Sequence, residues 1–175
     1  MERADTPAIR VERGNYYEDF KVGRRFVHPW GRTFTLQDTV AFSTLTMQHN
    51  PLYFNQEYAR YLGYREIPVH PLLVFATVLG LSVEDLSEAA GPFLGTDDIR
   101  FGVPVYPGDT VYAVSEVMSR RESRSRPGWG IVEWRTVGYN QRGEAVIEYR
   151  RRNLVRLREA RQPDLWEEGH GDATG

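Results

Sequence analysis

The sequence contains no cysteine among its 175 residues. This absence excludes disulfide bonds, thiolate nucleophiles and thiolate metal ligands together, and it is typical of a reducing compartment. The sequence also has no large excess of charge of one sign, because it contains 22 basic and 24 acidic side chains and its formal net charge is −2. No broad electrostatic field attracts nucleic acid or an anionic membrane, so we expect neither as a partner.

Long hydrophobic runs are missing as well. The longest, 72–83, is too short and too interrupted to cross a bilayer. The first twenty residues lack the apolar stretch and the cleavage site of a secretory signal, so we predict a cytoplasmic protein. With 41% hydrophobic residues, the chain can enclose one core of ordinary size. We therefore predict one domain over 15–159, between polar tails at 1–14 and 160–175.

Capping and breaking signals predict two short helices in the first half of the domain. An extended stretch is expected around 25–34, and Thr35 with Asp38 then forms a capping box for a helix. The Asn50-Pro51 pair ends this helix, because the residue before a proline is pushed out of the helical region. A second short helix follows and closes at Gly63.

A longer helix is predicted to begin near Pro71, because proline suits the first helical turn. Between 72 and 81 nearly every face is apolar, which predicts burial on most sides. Four strands follow, at 97–106, 109–123, 129–140 and 144–158, and a turn at Gly143 joins the last two. This pattern predicts an α+β domain whose antiparallel sheet wraps around a long buried helix.

Three of these segments resemble the MaoC-like dehydratases, a hotdog-fold family that includes R-specific enoyl-CoA hydratases. They are the turn NPLYFN at 50–55, the helix after VHP at 69–71, and the run DDIRFGVPVYPGDTVYAVSEV at 97–117. The stretch 119–155 is similar to the branch that acts on mesaconyl-CoA and itaconyl-CoA. The resemblance covers 16–158 and implies a single hotdog domain that dimerises, with acyl-CoA sites near the interface.

The resemblance also implies a reaction, the addition or removal of water at the double bond of a small enoyl-thioester. In the family, an Asp and a His five positions later activate the water, and N–H groups at the start of the buried helix hold the thioester oxygen. Here Gln48 and Tyr53 occupy the Asp and His positions, whereas Asn50, Pro51 and Leu52 match. Neither Gln nor an ordinary Tyr, with a pKa of about 10, is a natural base at neutral pH.

His70 is the preferred substitute for the missing base. It directly precedes Pro71 at the positive end of the buried helix, where imidazolium is disfavoured and the ring stays neutral. The alternative is a histidine that only caps the helix. The predicted catalytic residues, which orient water or transfer protons, are thus Gln48, Asn50, Tyr53 and His70.

Arg151 lies on the apolar face of the last strand, where a buried guanidinium requires an anion. That anion is either an internal Asp or Glu or a substrate carboxylate. The predicted substrate contacts, including two backbone N–H groups of the buried helix, are Pro51, Pro71, Leu72, Leu73 and Arg151. The basic segment 120–126 is either a solvated loop or a contact for coenzyme A phosphates.

The other conspicuous side chains have simpler interpretations. His28 is expected to be structural, His49 to point away from Gln48, and His170 to lie in the tail. The aromatic side chains of Phe54, Tyr58 and Tyr61 are expected in the core, or alternatively as a wall for an acyl chain. No metal-binding or nucleotide-binding motif is present, so we expect neither a metal nor a cofactor.

We therefore predict a homodimeric hydro-lyase that acts on a small acyl-CoA, possible substrates including dicarboxyl acyl-CoA esters. One alternative is a non-catalytic acyl-thioester-binding or partner subunit, which the loss of the Asp/His pair would explain. Another is a hotdog enzyme that acts on a carrier-bound acyl group or as a thioesterase.

Overall fold

The computed structural model describes residues 13–160, and the predicted tails, 1–14 and 160–175, fall almost entirely outside this range. The α-helices within it span Leu36–Leu45 (α1), Gln56–Tyr61 (α2), Pro71–Leu81 (α3) and Val83–Leu86 (α4). The β-strands span Arg25–Val27 (β1), Arg32–Thr33 (β2), Phe93–Phe101 (β3), Thr110–Glu122 (β4), Trp129–Asn140 (β5) and Ala145–Arg156 (β6). Short 3₁₀ helices occupy Tyr17–Asp19, Pro51–Tyr53 and Arg158–Ala160.

The strands form one antiparallel sheet in the order β1-β4-β5-β6-β3, with β2 also paired to β4. Helix α3 lies against the inner face of this sheet. A Cβ atom added to Gly138 of β5 would lie 2.7 Å from Cγ2 of Val78, so the helix packs directly on the strand. The predicted α+β architecture, a hotdog domain with the sheet wrapped around a helix, is confirmed.

Most of the predicted local signals are confirmed. Thr35 and Asp38 form the capping box of α1, in which the Asp38 carboxylate accepts the Thr35 N–H at 2.7 Å. Gly63 and Gly143 have φ angles of 85° and 77°, as their turns require. The prediction for the first long strand was wrong at both ends, because β3 begins at Phe93 and stops at Phe101. Register shifts interrupt its pairing with β6, and these irregularities hide the strand from a simple alternation pattern.

The predicted burial of α3 on most sides was also wrong. Val74 and Val78 are buried, but Leu72, Ala76 and Gly80 are exposed on another face, and Leu72 is 44% exposed. These three positions recur every four residues and form one apolar stripe. Nothing within the described part of the chain covers it. Apolar periodicity predicts a face that avoids water, but it does not say whether the same chain supplies the cover.

Substituting alanine at two glycines, Gly80 and Gly102, should change the free energy of unfolding in opposite directions if this packing is correct. We expect Gly80→Ala to raise the free energy of unfolding by about 0.5–1 kcal/mol, because a helical glycine costs backbone entropy and no atom obstructs a Cβ there. We expect Gly102→Ala to lower it by about 1–3 kcal/mol, since its Cβ would lie 2.1 Å from the Ala145 carbonyl oxygen. Urea unfolding of both variants measures the difference, and equal shifts would contradict the packing described.

Asp109 holds the turn that leads from the β3–β4 connection into β4. Its buried carboxylate accepts hydrogen bonds from the Tyr106 N–H at 3.0 Å, from Gln141 at 2.7 Å and from Arg142 at 2.9 Å. Burial raises the pKa of Asp109, but these hydrogen bonds outweigh it and hold the pKa below its ordinary value of 3.8. The ionised carboxylate therefore stabilises the folded state.

We expect Asp109→Asn to lower the free energy of unfolding by about 1–3 kcal/mol at pH 7. Because the folded-state pKa is depressed, the stabilisation is fully present above the ordinary pKa and is lost as the pH falls through the folded-state value. The difference between wild type and variant should therefore shrink below about pH 4. Urea unfolding between pH 7 and pH 2.5 measures it, with exposed Asp97→Asn as the control. A difference independent of pH would contradict this assignment.

Candidate active site

His70 forms the N-cap of α3 and is almost fully buried, with 4% of its surface exposed. Its Nδ1 accepts a hydrogen bond from the Leu72 N–H at 3.2 Å. Its own backbone N–H donates to Oγ1 of Thr39, on α1, at 3.0 Å. The imidazole packs against the ring of Tyr53, with 4.3 Å between centroids, and against Phe42 at 5.1 Å. Helix α1 and the turn after it thus fix the position of this histidine.

This geometry defines the protonation state of the imidazole. Burial lowers the pKa of His70 below its ordinary value of 6.5, so the ring is neutral at neutral pH. Because Nδ1 accepts the Leu72 N–H, the single proton of the neutral ring is assigned to Nε2. No atom within residues 13–160 accepts a hydrogen bond from Nε2. His70 therefore presents a free N–H donor, and it can act as a base at Nδ1 only if the helix cap is released.

Tyr53 lies beside His70 at an apolar cleft with a volume of about 170 Å³. Burial raises the pKa of the Tyr53 phenol, which is protonated at neutral pH and can donate a hydrogen bond. The cleft is smaller than the roughly 300–1,000 Å³ of pockets that enclose drug-sized ligands, so it suits a short acyl group. Its walls come from the turn, from α3 and from the β3–β4 connection, and include Leu52, Pro68, Val74, Phe101, Val103 and Val105.

The structure places Gln48 and Asn50 in the exposed turn between α1 and the 3₁₀ helix. The Asn50 side-chain oxygen accepts the Leu52 N–H at 3.1 Å and so caps the 3₁₀ helix that carries Tyr53. No hydrogen bond to the Gln48 side chain forms within the described range. Pro51 begins the 3₁₀ helix, and exposed His49 makes no polar side-chain contact among the same residues.

The N–H groups at the start of α3 are already engaged. Pro71 has none, and the Leu72 N–H is taken by His70 Nδ1. The N–H groups of Leu73 and Val74 donate to the His70 carbonyl at 2.9 and 3.1 Å. The two backbone groups predicted to hold a thioester oxygen therefore have partners in this structure. The free donor nearest to them in the chain is Nε2 of His70.

Arg151 and the basic segment do not line this cleft. Arg151 stacks over the ring of Trp134, which belongs to a separate core cluster with Leu86 of α4. No carboxylate lies within ion-pair distance of Arg151 among the residues described, so the internal Asp or Glu partner is not found there. Segment 120–126 lies where β4 meets β5, at the end of β4 opposite the cleft, on the order of 30 Å away.

The remaining predictions divide between confirmed and wrong. His28 is structural, being 2% exposed, with Nδ1 2.6 Å from Asp85 Oδ2 and Nε2 2.9 Å from Ser115 Oγ. The core placement of the aromatic cluster was wrong, because Phe54, Tyr58 and Tyr61 are 44%, 37% and 83% exposed. The turn directs them outward, away from the small cluster around Leu52 and Ala59. His170 lies outside the described residues.

Sequence reasoning missed Thr39 and Phe42, the two α1 residues that support His70. Their three-residue spacing places them on one face of α1. This spacing of a threonine and an aromatic residue was the signal available in the sequence. Among residues 13–160, no group of three or more His, Cys, Asp or Glu side chains is arranged to hold a metal ion. No helix of this range is long and apolar enough to span a membrane.

A sheet wrapped around a central helix defines the hotdog fold. Within this fold, comparison with known proteins places the chain among the MaoC-like dehydratases. The chain belongs to the mesaconyl-CoA hydratase family, whose model matches residues 1–174. It is 38% identical over 176 residues to a mesaconyl-CoA hydratase of Haloarcula marismortui, in an alignment that includes all of this chain and 48% of that protein.

Solved structures agree with this family assignment. A MaoC domain protein dehydratase from Chloroflexus aurantiacus superposes with a TM-score of 0.82 at 36% identity, over 89% of this chain and 44% of that one. A protein from Mycobacterium tuberculosis with a double hotdog fold superposes with a TM-score of 0.76 over 93% of this chain and 52% of that one. At 23% identity, the second match supports the fold alone. The chain thus spans about half the length of these proteins.

Proposed function

We propose that this chain is one hotdog unit of a hydratase or dehydratase that adds water to, or removes it from, the double bond of a small enoyl-CoA thioester. Dicarboxyl acyl groups such as mesaconyl belong to the proposed substrate class, because the relatives named above carry that activity. The observation that carries the proposal is the buried, neutral His70, whose ring packs on Tyr53, a residue that lines a small apolar cleft. The absence of cysteine suits a reducing cytoplasm as the location.

The proposed role of His70 is to donate a hydrogen bond rather than to act as a base. A neutral imidazole at a helix N-terminus can polarise a substrate carbonyl, as the neutral electrophilic histidine of triosephosphate isomerase does. Here Nε2–H would donate to the thioester oxygen and stabilise the charge that develops on it when the β-carbon gains or loses an oxygen. The protonated Tyr53 hydroxyl, with Gln48, would orient the water.

The general base is proposed to come from a second hotdog unit. Neither Gln48 nor the protonated Tyr53 accepts a proton readily at neutral pH. Strand β3 pairs with β6 on one side, and its other side has no partner strand among residues 13–160. Its exposed apolar side chains include Phe93, Leu94 and Phe101. Phe101 also lines the cleft. A second unit on this edge would cover the apolar side chains and bring its own residues next to His70. The proposed arrangement is a pair with a related chain that carries the base; a homodimer would need a base other than Gln48 or Tyr53, because its second copy brings the same two side chains.

Turnover of crotonyl-, mesaconyl- and itaconyl-CoA by the purified full chain tests the proposal, followed by the change in enoyl-thioester absorbance. Binding of the same compounds is measured in parallel by calorimetry, and the mass in solution by light scattering. Turnover with a dimeric mass would support an active homodimer. Neither turnover nor binding with any of the three compounds would overturn the proposal.

A second candidate function is a non-catalytic unit that binds the acyl-thioester and assists an active partner. Two observations favour it: the Asp and His positions of the family carry Gln48 and Tyr53, and the N–H groups of α3 already have partners. It predicts acyl-CoA binding without turnover. In that case the double substitution Gln48→Asp with Tyr53→His should create measurable hydratase activity, and each single substitution should not.

A further inference from the structure

Arg151 is a buried cation without a visible counter-ion. It is 1% exposed, and its Nε and Nη2 atoms have no hydrogen-bond partner within residues 13–160. The Asp85 carboxylate, which pairs with the neighbouring His28 at 2.6 Å, makes no ion pair with Arg151. An unpaired charge inside a protein is costly, so the guanidinium requires an anion that this part of the chain does not supply.

Other buried polar atoms without partners belong to residues that neighbour Arg151 in the sheet. The Trp134 ring lies beneath it, with 5.3 Å between the ring centroid and the guanidinium carbon, and Trp134 Nε1 has no partner in the described range. The Asn153 side-chain oxygen likewise has no partner there, and the Tyr149 hydroxyl has only weak interactions with the Thr136 and Ser82 side chains. Both residues lie on the same face of β6 as Arg151, two positions before and after it. Five of the seven buried side-chain atoms found without partners in residues 13–160 belong to these four residues.

The hydrogen-bonding capacity of these atoms indicates the sign of the charge on the missing partner. Trp134 Nε1 and the two Arg151 nitrogens can only donate, and the Tyr149 hydroxyl can also donate, whereas the Asn153 oxygen alone must accept. Donors with a net positive charge match an anion better than neutral water. His28 stays neutral and adds no charge of its own, because burial lowers its pKa and Arg151 lowers it further.

We propose that Arg151, Tyr149 and Trp134 hold a small monovalent inorganic anion, of the size of chloride, inside the hotdog domain. The site is distinct from the cleft. The stacked side chains of Arg151 and Trp134 pack near Leu86 of α4, beyond the end of α3, whereas His70 caps the start of this helix, which is about 16 Å long. Tyr149 lies between them, with its ring against Phe75 of α3 at 5.1 Å. A four-carbon acyl group reaches only about 5 Å beyond its thioester carbon, so its terminal carboxylate does not span the length of α3.

Thermal unfolding of the full chain against chloride concentration, at constant ionic strength with gluconate, tests the proposal. The expected result is a Tm that rises with the logarithm of the chloride concentration above Kd and is about 5–10 °C higher when chloride reaches about 100 times its Kd. Arg151→Met should abolish the rise, whereas Arg150→Met, which changes the neighbouring exposed arginine, should retain it. If Arg151→Met does not fold, Tyr149→Phe removes only one donor and should weaken chloride binding about fivefold.

Crystals grown with bromide identify the occupant directly. An anomalous peak within hydrogen-bond distance of Arg151 would support the proposal. Water alone at this position, together with a Tm that does not depend on chloride, would overturn it. A carboxylate from residues 1–12, from 161–175 or from a second copy, seated on Arg151, would overturn it as well.

Discussion

Replacing His70 with alanine is expected to lower kcat for enoyl-CoA hydration by about 100- to 1,000-fold, the usual cost of removing one donor from an oxyanion site. The reason is geometric. Nε2–H of His70 is free, whereas the backbone N–H groups of Leu72 and Leu73 have partners. Steady-state kinetics with the best substrate of the acyl-CoA panel measure the loss.

Two control variants separate this role from the structural one. His70→Asn keeps an oxygen that can cap α3 but places no N–H at the position of Nε2, so it should retain stability and still lose activity. His49→Ala removes an exposed histidine and should leave kcat unchanged. Full activity of His70→Asn would mean that the histidine only caps the helix.

The same assignment predicts a pH profile. Burial depresses the pKa of His70, so the neutral ring persists to a pH below 6.5. As the pH falls through that lowered pKa, Nδ1 becomes protonated and no longer accepts the Leu72 N–H. We expect kcat/KM to fall on the acid side with an apparent pKa below 6.5 and to lose this limb in His70→Asn. An acid limb unchanged in the variant would assign the titration to another group.

Replacing Trp134 with alanine is expected to lower the free energy of unfolding by about 3–5 kcal/mol. The indole is fully buried, meets the ring of Phe20 edge-on at 5.0 Å, and lies beneath Arg151. Its loss leaves a cavity and removes the aromatic face on which the guanidinium rests. Because domains of this size are stable by roughly 5–15 kcal/mol, this one change removes a large fraction of the total.

Trp30→Ala is the matched control for that experiment. Trp30 is 69% exposed, so its removal should change the free energy of unfolding by no more than about 0.5 kcal/mol. Urea unfolding followed by circular dichroism measures both variants without relying on tryptophan fluorescence. Similar losses in the two variants would contradict the position of Trp134 in the core.

Predictions from the sequence succeeded where local chemistry determines local structure. The Thr35–Asp38 capping box and the parity of β6, which buries Tyr149, Arg151 and Asn153, depend on spacing alone. They failed where burial depends on distant or separate elements. The exposed stripe on α3 and the outward-facing Tyr61 have an apolar composition that sequence alone does not assign to a core or to an interface.

The candidate site shows the same division. The cap position of His70 and the contact of its ring with Tyr53 lie within reach of motif reasoning. The occupied Leu72 N–H does not, because it depends on the rotamer of one imidazole. The separation of Arg151 from the cleft likewise depends on how the whole of α3 and α4 lies along the sheet.

The order of the strands in the sheet affects folding while the chain is being synthesised. Strand β3 precedes β4, β5 and β6 in the sequence but pairs only with β6, the last of them. During synthesis β3 stays unpaired until about 50 further residues, including those of β6, have been added, which takes roughly 3–10 s at 5–20 residues per second. Until then β3, with its apolar side chains Phe93, Leu94 and Phe101, has no partner strand. The nascent chain is therefore most vulnerable to aggregation in that interval, and a ribosome-associated chaperone would act on β3 first.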